Sequence, residues 1–298
     1  MLRYAQEESI FGTRVRLLVV HSERREEEVN RAIRLAFEEA HRIETFYSRF
    51  LSENELARLN GLIGEWVEVS EELYELLQFA EELKVVSGGA FDVTVKSLLE
   101  GWGYDARYSL QEQSSGAIGE IQFLAPFQVK ISASVDLGGL GKGYALDQMR
   151  IFLSDFANVL VEAGGDLWAR GLDEYGKPWR VLFEHPTDPT QAIGFIDIPV
   201  EGLALASSSP NRRRWRDRHH LVDPRMARPS TQMLAVYTQA KTALLADSYA
   251  TLLFVMGFET VSRVIEKFPI EAMWVSPKGE IRKTPGFLGE LFSTSEPV

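Results

Sequence analysis

Apolar and polar residues alternate along Thr13-Arg14-Val15-Arg16-Leu17 and then run apolar through Leu18, Val19 and Val20, as expected of a strand. The repeat then lengthens. From about Arg24 to Phe46, Val29, Ile33, Ala36, Phe37, Ala40 and Ile43 recur at three and four residues, which predicts an amphipathic helix with a Glu- and Arg-rich outer face. Glu65 to Val69 reads as a short strand. Ser70 is placed to cap a following helix whose Leu73, Leu76, Leu77, Ala80 and Leu83 share one face and which ends at Gly88-Gly89.

Strands are predicted again from Phe123 to Asp136, ahead of a glycine cluster and a helix from about Tyr144 to Phe156. Asn158 to Ala163 reads as a buried strand running into Gly164-Gly165-Asp166. Trp179–Glu184, Gly194–Ile198, Gly202–Ala206 and Met233–Thr238 read as further strands, and an apolar helix follows from about Thr242 to Met256, stopped by Gly257. Strands outnumber helices and do not alternate with them one for one. That pattern favours an α+β fold over a doubly wound parallel sheet.

The 298 residues suit one large domain or two small ones, and 45% hydrophobic with 25% charged residues is ordinary globular composition. Acidic side chains number 43 against 32 basic, a formal charge of -11, which disfavours nucleic acid or anionic lipid and points to small molecules or proteins as partners. The absence of cysteine excludes disulfides, zinc–thiolate sites, iron–sulfur clusters and a thiol nucleophile. The start, MLRYAQEESIFG, carries no secretory apolar stretch, and no run approaches the roughly 18 apolar residues of a membrane span. The expectation is a cytoplasmic protein without a transmembrane segment, or an exported one if a leader was trimmed.

Asp136-Leu137-Gly138-Gly139-Leu140-Gly141-Lys142-Gly143 packs four glycines into six positions between a predicted strand and a predicted helix. Such a turn lets backbone N–H groups approach phosphate oxygens at a helix N-terminus. It is not a Walker A loop, because Gly143 rather than Ser or Thr follows the Gly-Lys pair. Nor is it GxGxxG, since Tyr144 occupies the last glycine position. A tight turn serving close helix packing is the alternative reading.

Asp247 and Thr251 lie four apart on a strongly apolar helix and so share a face. A carboxylate in those surroundings needs a partner. Carboxylate, hydroxyl and carbonyl oxygens suit a hard cation such as Mg²⁺; the other reading pairs Asp247 with a lysine or arginine and returns Thr251 to its own helix. His219 and His220 precede a turn at Asp223-Pro224-Arg225. Adjacent residues on an extended segment face opposite ways, so at most one histidine enters a given site, where it could act as a base; a hydrogen bond across the turn is the alternative. Five arginines between Arg212 and Arg218 read as a solvated loop or an ion-paired hairpin in so acidic a chain. Phe11 and Phe50, each beside turn residues, offer flat apolar faces.

Taken in order, these segments resemble the ApbE family, the FAD:protein FMN transferases. Phe11-Gly12-Thr13 is similar to M-G-T, and Ser48 through Asn60 to S-x-Y…S-E-L-x-x-L-N. Ser87 through Val95 is similar to G-G-A-F-D-P-T-V, and Asp136 through Asp147 to D-L-G-G-I-A-K-G-Y-A-V-D. Val161–Asp166, Gly176–Trp179, His220–Arg225 (H-I-I-D-P-R) and Ala246–Thr251 (A-D-A-x-A-T) complete the series. The chain departs from the pattern at Phe11 and Phe50, which replace Met and Tyr, at Ser207–Asn211, which stand for T-S-G-x-Y, and at Met226-Ala227, which stand for T-G.

The resemblance implies an α+β fold with helices packed on largely antiparallel sheets, as one domain over residues 1–298 or two intertwined subdomains. It implies transfer of FMN from FAD to a Thr or Ser hydroxyl of an acceptor flavoprotein, with AMP leaving and Mg²⁺ required; a FAD store and a FAD pyrophosphatase are the rival activities. By position it implies that Asp247, Thr251 and the Gly139 carbonyl bind metal. Phe11 and Phe50 would flank the isoalloxazine, and Ala90, Phe91, Asp92, Asp136, Lys142 and Leu221 would contact FAD. His220 would be the base.

Overall fold

Leu17-Leu18-Val19-Val20 is apolar throughout because both faces of its sheet are covered. In the computed structural model, which describes residues 1–23, 25–105, 109–111, 116–211, 214–215 and 218–292, the strand Thr13–His21 sends Val15, Leu17 and Val19 into one core and Leu18 and Val20 into another.

Among the described residues, eight strands form the main sheet. In spatial order they are Leu2–Ile10, Thr13–His21, Asn158–Ala163, Asp166–Arg170, Leu203–Ser208, Ala235–Ala240, Glu271–Val275 and Ile281–Lys283. Every neighbouring pair is antiparallel. The α+β expectation with largely antiparallel sheets therefore holds.

Several helices close the first core, Glu71–Val86 among them, and three of these bear on the site. Glu26–Tyr47 contributes Val29, Ile33 and Phe37, and Gly141–Ile151 contributes Leu146 and Met149. Ala243–Met256 is buried nearly all round, which is why its sequence shows an apolar block rather than a stripe. On the opposite face a small sheet of Glu290–Leu291, Ala192–Asp197 and Arg180–Glu184 covers Leu18, Leu160 and Tyr237 with Phe183, Ile196 and the nearby Phe287. A third sheet, Val67–Glu68, Gln128–Ile131 and Ile121–Leu124, holds the segment that leads into the glycine cluster.

The structure differs from the sequence reading in specific places. The helix after the glycine cluster begins three residues early, at Gly141, and stops at Ile151. At Gly143 the partner helix lies too close for a side chain, since a Cβ there would sit 2.3 Å from the Ala243 carbonyl oxygen, whereas Gly141 has open space around it. Strand Leu2–Ile10 gave no apolar signal, since it is the sheet's outermost strand and mostly exposed. Strand Asp166–Arg170 follows directly on the hairpin turn at Gly164-Gly165, whose positive φ angles of 61° and 104° reverse the chain. Of the arginine run, Arg214-Trp215 and Arg218-His219 pair as a short hairpin; Arg212, Arg213, Arg216 and Asp217 lie outside the described residues.

Candidate active site

The last residue of the glycine motif organises the helix that carries Asp247. Asp147 accepts the backbone N–H groups of Ala243 and Leu244 at 3.0 and 2.8 Å, while the Thr242 hydroxyl accepts that of Leu245 at 3.3 Å. The first turn of Ala243–Met256 is thus capped from outside and from within. Burial pushes the Asp147 carboxyl above its ordinary range, and these N–H groups together with Arg150 act against that shift.

With the two helices locked together, Asp247 faces the start of the glycine helix. Its Oδ2 accepts the Gly143 N–H at 2.9 Å and its Oδ1 lies 3.1 Å from the Lys142 ammonium. Lys142 also pairs with Asp166, at the start of the strand after the Gly164-Gly165 turn, and Asp166 accepts the Ser207 N–H at 3.1 Å. Two buried carboxylates therefore share one lysine. Burial raises the Asp166 carboxyl to about 6, and the neighbouring Asp247 charge adds to the rise against the pull of Lys142. The sequence motif contained Asp166 but nothing marked it as a site residue; its role appears only when the strand turn is folded over the helix.

Thr251 stands one turn beyond Asp247. A Cβ placed on Gly139 would lie 3.3 Å from its Cγ2 and 3.2 Å from the Phe91 ring, so the turn at Gly139 is pressed against that side chain. The Thr251 hydroxyl is 3.5 Å from Ser208 Oγ on the next strand. Asp247 is thus paired with a lysine, the alternative that the sequence left open, while Thr251 and Gly139 line the same cavity beside it. Lys142 balances part of the charge of these two carboxylates; a hard divalent cation takes carboxylate, hydroxyl and carbonyl oxygens, and would compete with that ammonium for Asp247. Asp247, Thr251 and Gly139 carry oxygens of the types such a cation takes, and Asp166 lines the cavity with them.

These groups open onto one cavity of about 890 Å³. Nine of the twelve residues expected at the site line it: Phe11, Phe50, Asp136, Gly139, Lys142, His220, Leu221, Asp247 and Thr251. The remaining three, Ala90, Phe91 and Asp92, border a hollow of about 50 Å³ that shares Asp136, Gly139 and Thr251 with it. Asp92 is committed inside the protein: it accepts the Thr94 N–H and hydroxyl at 2.8 and 2.7 Å and pairs with Lys84 at 2.9 Å.

Both aromatic candidates sit on constrained backbone or among other rings. Phe11 occupies a hairpin turn with φ of 57°, costly for a residue with a Cβ, and the Glu44 carboxylate holds its N–H at 2.5 Å. Phe50 meets Tyr104 edge to face at 5.9 Å, and Tyr104 stacks on Trp215. The two histidines part as alternation requires. His219 turns to the core, where its Nδ1 accepts the Leu221 N–H at 3.2 Å and burial holds its pKa below the ordinary value; His220 lines the cavity.

Other motif residues proved structural. The Asn60 amide bonds Val135 on both sides, donating to its carbonyl at 2.9 Å and accepting its N–H at 2.6 Å, and so fixes the approach to Asp136. Arg49, Glu44 and Tyr104 line the cavity without having stood out in the sequence.

An antiparallel sheet packed with helices, and carboxylates and aromatic residues around one cavity beside a glycine turn, define an α+β protein with a candidate site at that turn. The chain belongs to the ApbE family, whose model matches residues 11–274. It is 29% identical over 261 residues to the FAD:protein FMN transferase of Salmonella typhimurium, covering 80% of this chain and 74% of the relative. The crystal structure of the ApbE protein of Thermotoga maritima superposes with a TM-score of 0.84 at 28% identity, covering 96% of this chain and 98% of the other. The flavin transferase ApbE of Vibrio cholerae shares the fold, with a TM-score of 0.80 at 23% identity over 96% and 98% of the two chains.

Proposed function

We propose that this chain transfers FMN from FAD to a Thr or Ser hydroxyl of an acceptor flavoprotein, releasing AMP and requiring Mg²⁺. The observation that carries the proposal is the convergence of Asp247, Thr251 and the glycine turn on a cavity that also holds His220, Phe11 and Phe50. The family's curated relatives bear the corresponding name.

In this reading the acceptor oxygen bonds to the phosphorus on the FMN side of the diphosphate, the bond from that phosphorus to the bridging oxygen breaks, and AMP departs with the bridging oxygen. His220 takes the hydroxyl proton, a role that its place on the cavity wall allows. Phe11 and Phe50 supply faces for the isoalloxazine, while Asp136, Lys142 and Leu221 contact the rest of FAD. Ala90, Phe91 and Asp92 support it from the adjoining hollow. Asp247, Thr251 and the Gly139 carbonyl would hold Mg²⁺, which when bound stabilises negative charge on the diphosphate. Lys142 keeps the two aspartates from repelling one another and adds positive charge at the start of the helix.

The test is incubation with FAD, Mg²⁺ and a peptide bearing an acceptor Thr, followed by chromatography and mass spectrometry. AMP together with a covalent FMN–peptide adduct is expected. AMP with free FMN and no adduct would identify a pyrophosphatase, and FAD binding without either product would identify a store; both would overturn the transferase reading.

A further inference from the structure

We propose that Arg49 is a positioning residue for nucleotide binding, acting through Asp136. Arg49 falls at the position that the S-x-Y motif leaves open, so the resemblance assigns it nothing. Yet it is among the most deeply placed charges of the chain: its side chain is 3% exposed, although it belongs to the cavity wall. Its Nε lies 3.2 Å from Asp136 Oδ2, and Asp136 Oδ1 accepts the Gly138 N–H at 2.9 Å. One guanidinium therefore fixes the carboxylate whose other oxygen shapes the glycine turn.

The rest of the guanidinium shows that this contact is its main polar anchor. Nη1 and Nη2 are buried and make no hydrogen bond among the described residues, and the nearest further carboxylate, Glu100, is 3.9 Å from Nη1. The Phe50 and Tyr104 rings lie 4.3 and 4.7 Å from the guanidinium carbon. Cation–π contact offsets part of the desolvation of a buried charge but does not replace lost hydrogen bonds. As a purely structural device the arrangement is poor, because an apolar side chain of similar volume would fill the space without stranding donors.

As a positioning device it is well made. Arg49 holds one oxygen of Asp136 while the Gly138 N–H holds the other, and the segment that leads into Asp136 is already braced by Asn60. It also sets Phe50, the next residue, against Tyr104. The ligand feature served is an N–H or O–H donor of the flavin, adenine or sugar parts of FAD, the groups that a fixed carboxylate can receive. This inference rests on FAD being the nucleotide bound.

The experiment measures FAD affinity by fluorescence quenching in the presence of Mg²⁺ for the full chain, Arg49→Met, Arg49→Lys, Asp136→Asn and the double variant Arg49→Met/Asp136→Asn, with thermal unfolding of each. Arg49→Met is expected to weaken FAD binding by about 10- to 100-fold and Arg49→Lys to recover part of the loss. In the Asp136→Asn background Arg49→Met should cost under about threefold more, because its route of action is already gone. Repeating the titrations with FMN and with ADP shows which half of the nucleotide loses affinity. Unchanged FAD affinity in folded Arg49→Met, or losses that simply multiply in the double variant, would overturn the inference. Should Arg49→Met not fold, Arg49→Lys decides: full affinity with the fork geometry removed would equally overturn it. Failure of the unaltered protein to bind FAD would instead remove the functional reading beneath it.

Discussion

Asp147 holds the first turn of the apolar helix Ala243–Met256 from a different helix, accepting the N–H groups of Ala243 and Leu244 with its two carboxylate oxygens. The glycine motif that begins at Asp136 therefore does not end with a turn; its last residue determines where Asp247 stands. Asp147→Ala should lower the unfolding free energy by about 2 kcal/mol, the upper end for loss of a helix cap, measured by urea denaturation. It should also weaken Mg²⁺-dependent FAD binding. Loss of stability with full ligand affinity would show that the helix keeps its place without the cap.

Asp247→Asn and His220→Gly separate two roles. Asp247→Asn should reduce Mg²⁺-dependent FMN transfer by roughly 100-fold or more, since it withdraws a charged oxygen from the proposed metal. His220→Gly should reduce transfer by roughly 10²–10⁴-fold, the usual range for losing a positioned base, while FAD affinity changes by less than about threefold. The pair is read by single-turnover transfer and FAD titration. Full activity in His220→Gly would dismiss the base.

Glu72 ties three helices together and should make stability acid-sensitive. It accepts Arg42 through both oxygens at 2.6 and 2.8 Å, and both Tyr47 and Tyr144 at 2.5 Å. Burial pushes its carboxyl up, but the hydrogen bonds from Arg42, Tyr144 and Tyr47 outweigh it and pull the pKa below the ordinary 4.5. A depressed carboxyl pKa gives stability that is complete above the unfolded value and fades as pH falls through the folded one. The stability gap between the unaltered protein and Glu72→Gln should therefore be constant near neutrality and shrink below about pH 4.5. Urea midpoints at several pH values check it; a gap independent of pH would refute it.

Ser248 lies fully buried beside Asp247, and its hydroxyl has no hydrogen-bond partner among the described residues. Alanine stands at this position in the A-D-A-x-A-T pattern. Ser248→Ala should raise stability by about 1 kcal/mol by relieving a desolvated polar group. A thermal scan that shows destabilisation would mean the hydroxyl is satisfied in solution.

Much of the fold was legible from residue order because local periodicity encodes burial. The helix Glu26–Tyr47 and strand Thr13–His21 emerged within one or two residues at each end, as did the strand Asn158–Ala163 and the capped helices Glu71–Val86 and Ala243–Met256. Leu2–Ile10 was invisible because an exposed edge strand has little to bury. The helical state of Gly143 was concealed as well, since glycine disfavours helices and the close approach of Ala243 is what requires it there.

The sequence by itself determined which residue types are present and in what order: a glycine turn before a helix, an acid and a hydroxyl one turn apart, two histidines on opposite sides of an extended segment, and strands that outnumber helices without alternating with them. Those features depend on neighbours along the chain, and neighbours along the chain are what a sequence records. Only the tertiary structure decided that Asp166 joins Asp247 across Lys142, that His220 rather than His219 faces the cavity, that Asp92 is spent on Thr94 and Lys84, and that Arg49 stands behind Asp136. Each is a contact between segments far apart in the chain. Whether a charge meets a partner, a ligand or nothing is fixed by packing and desolvation at the meeting point, which no local pattern carries.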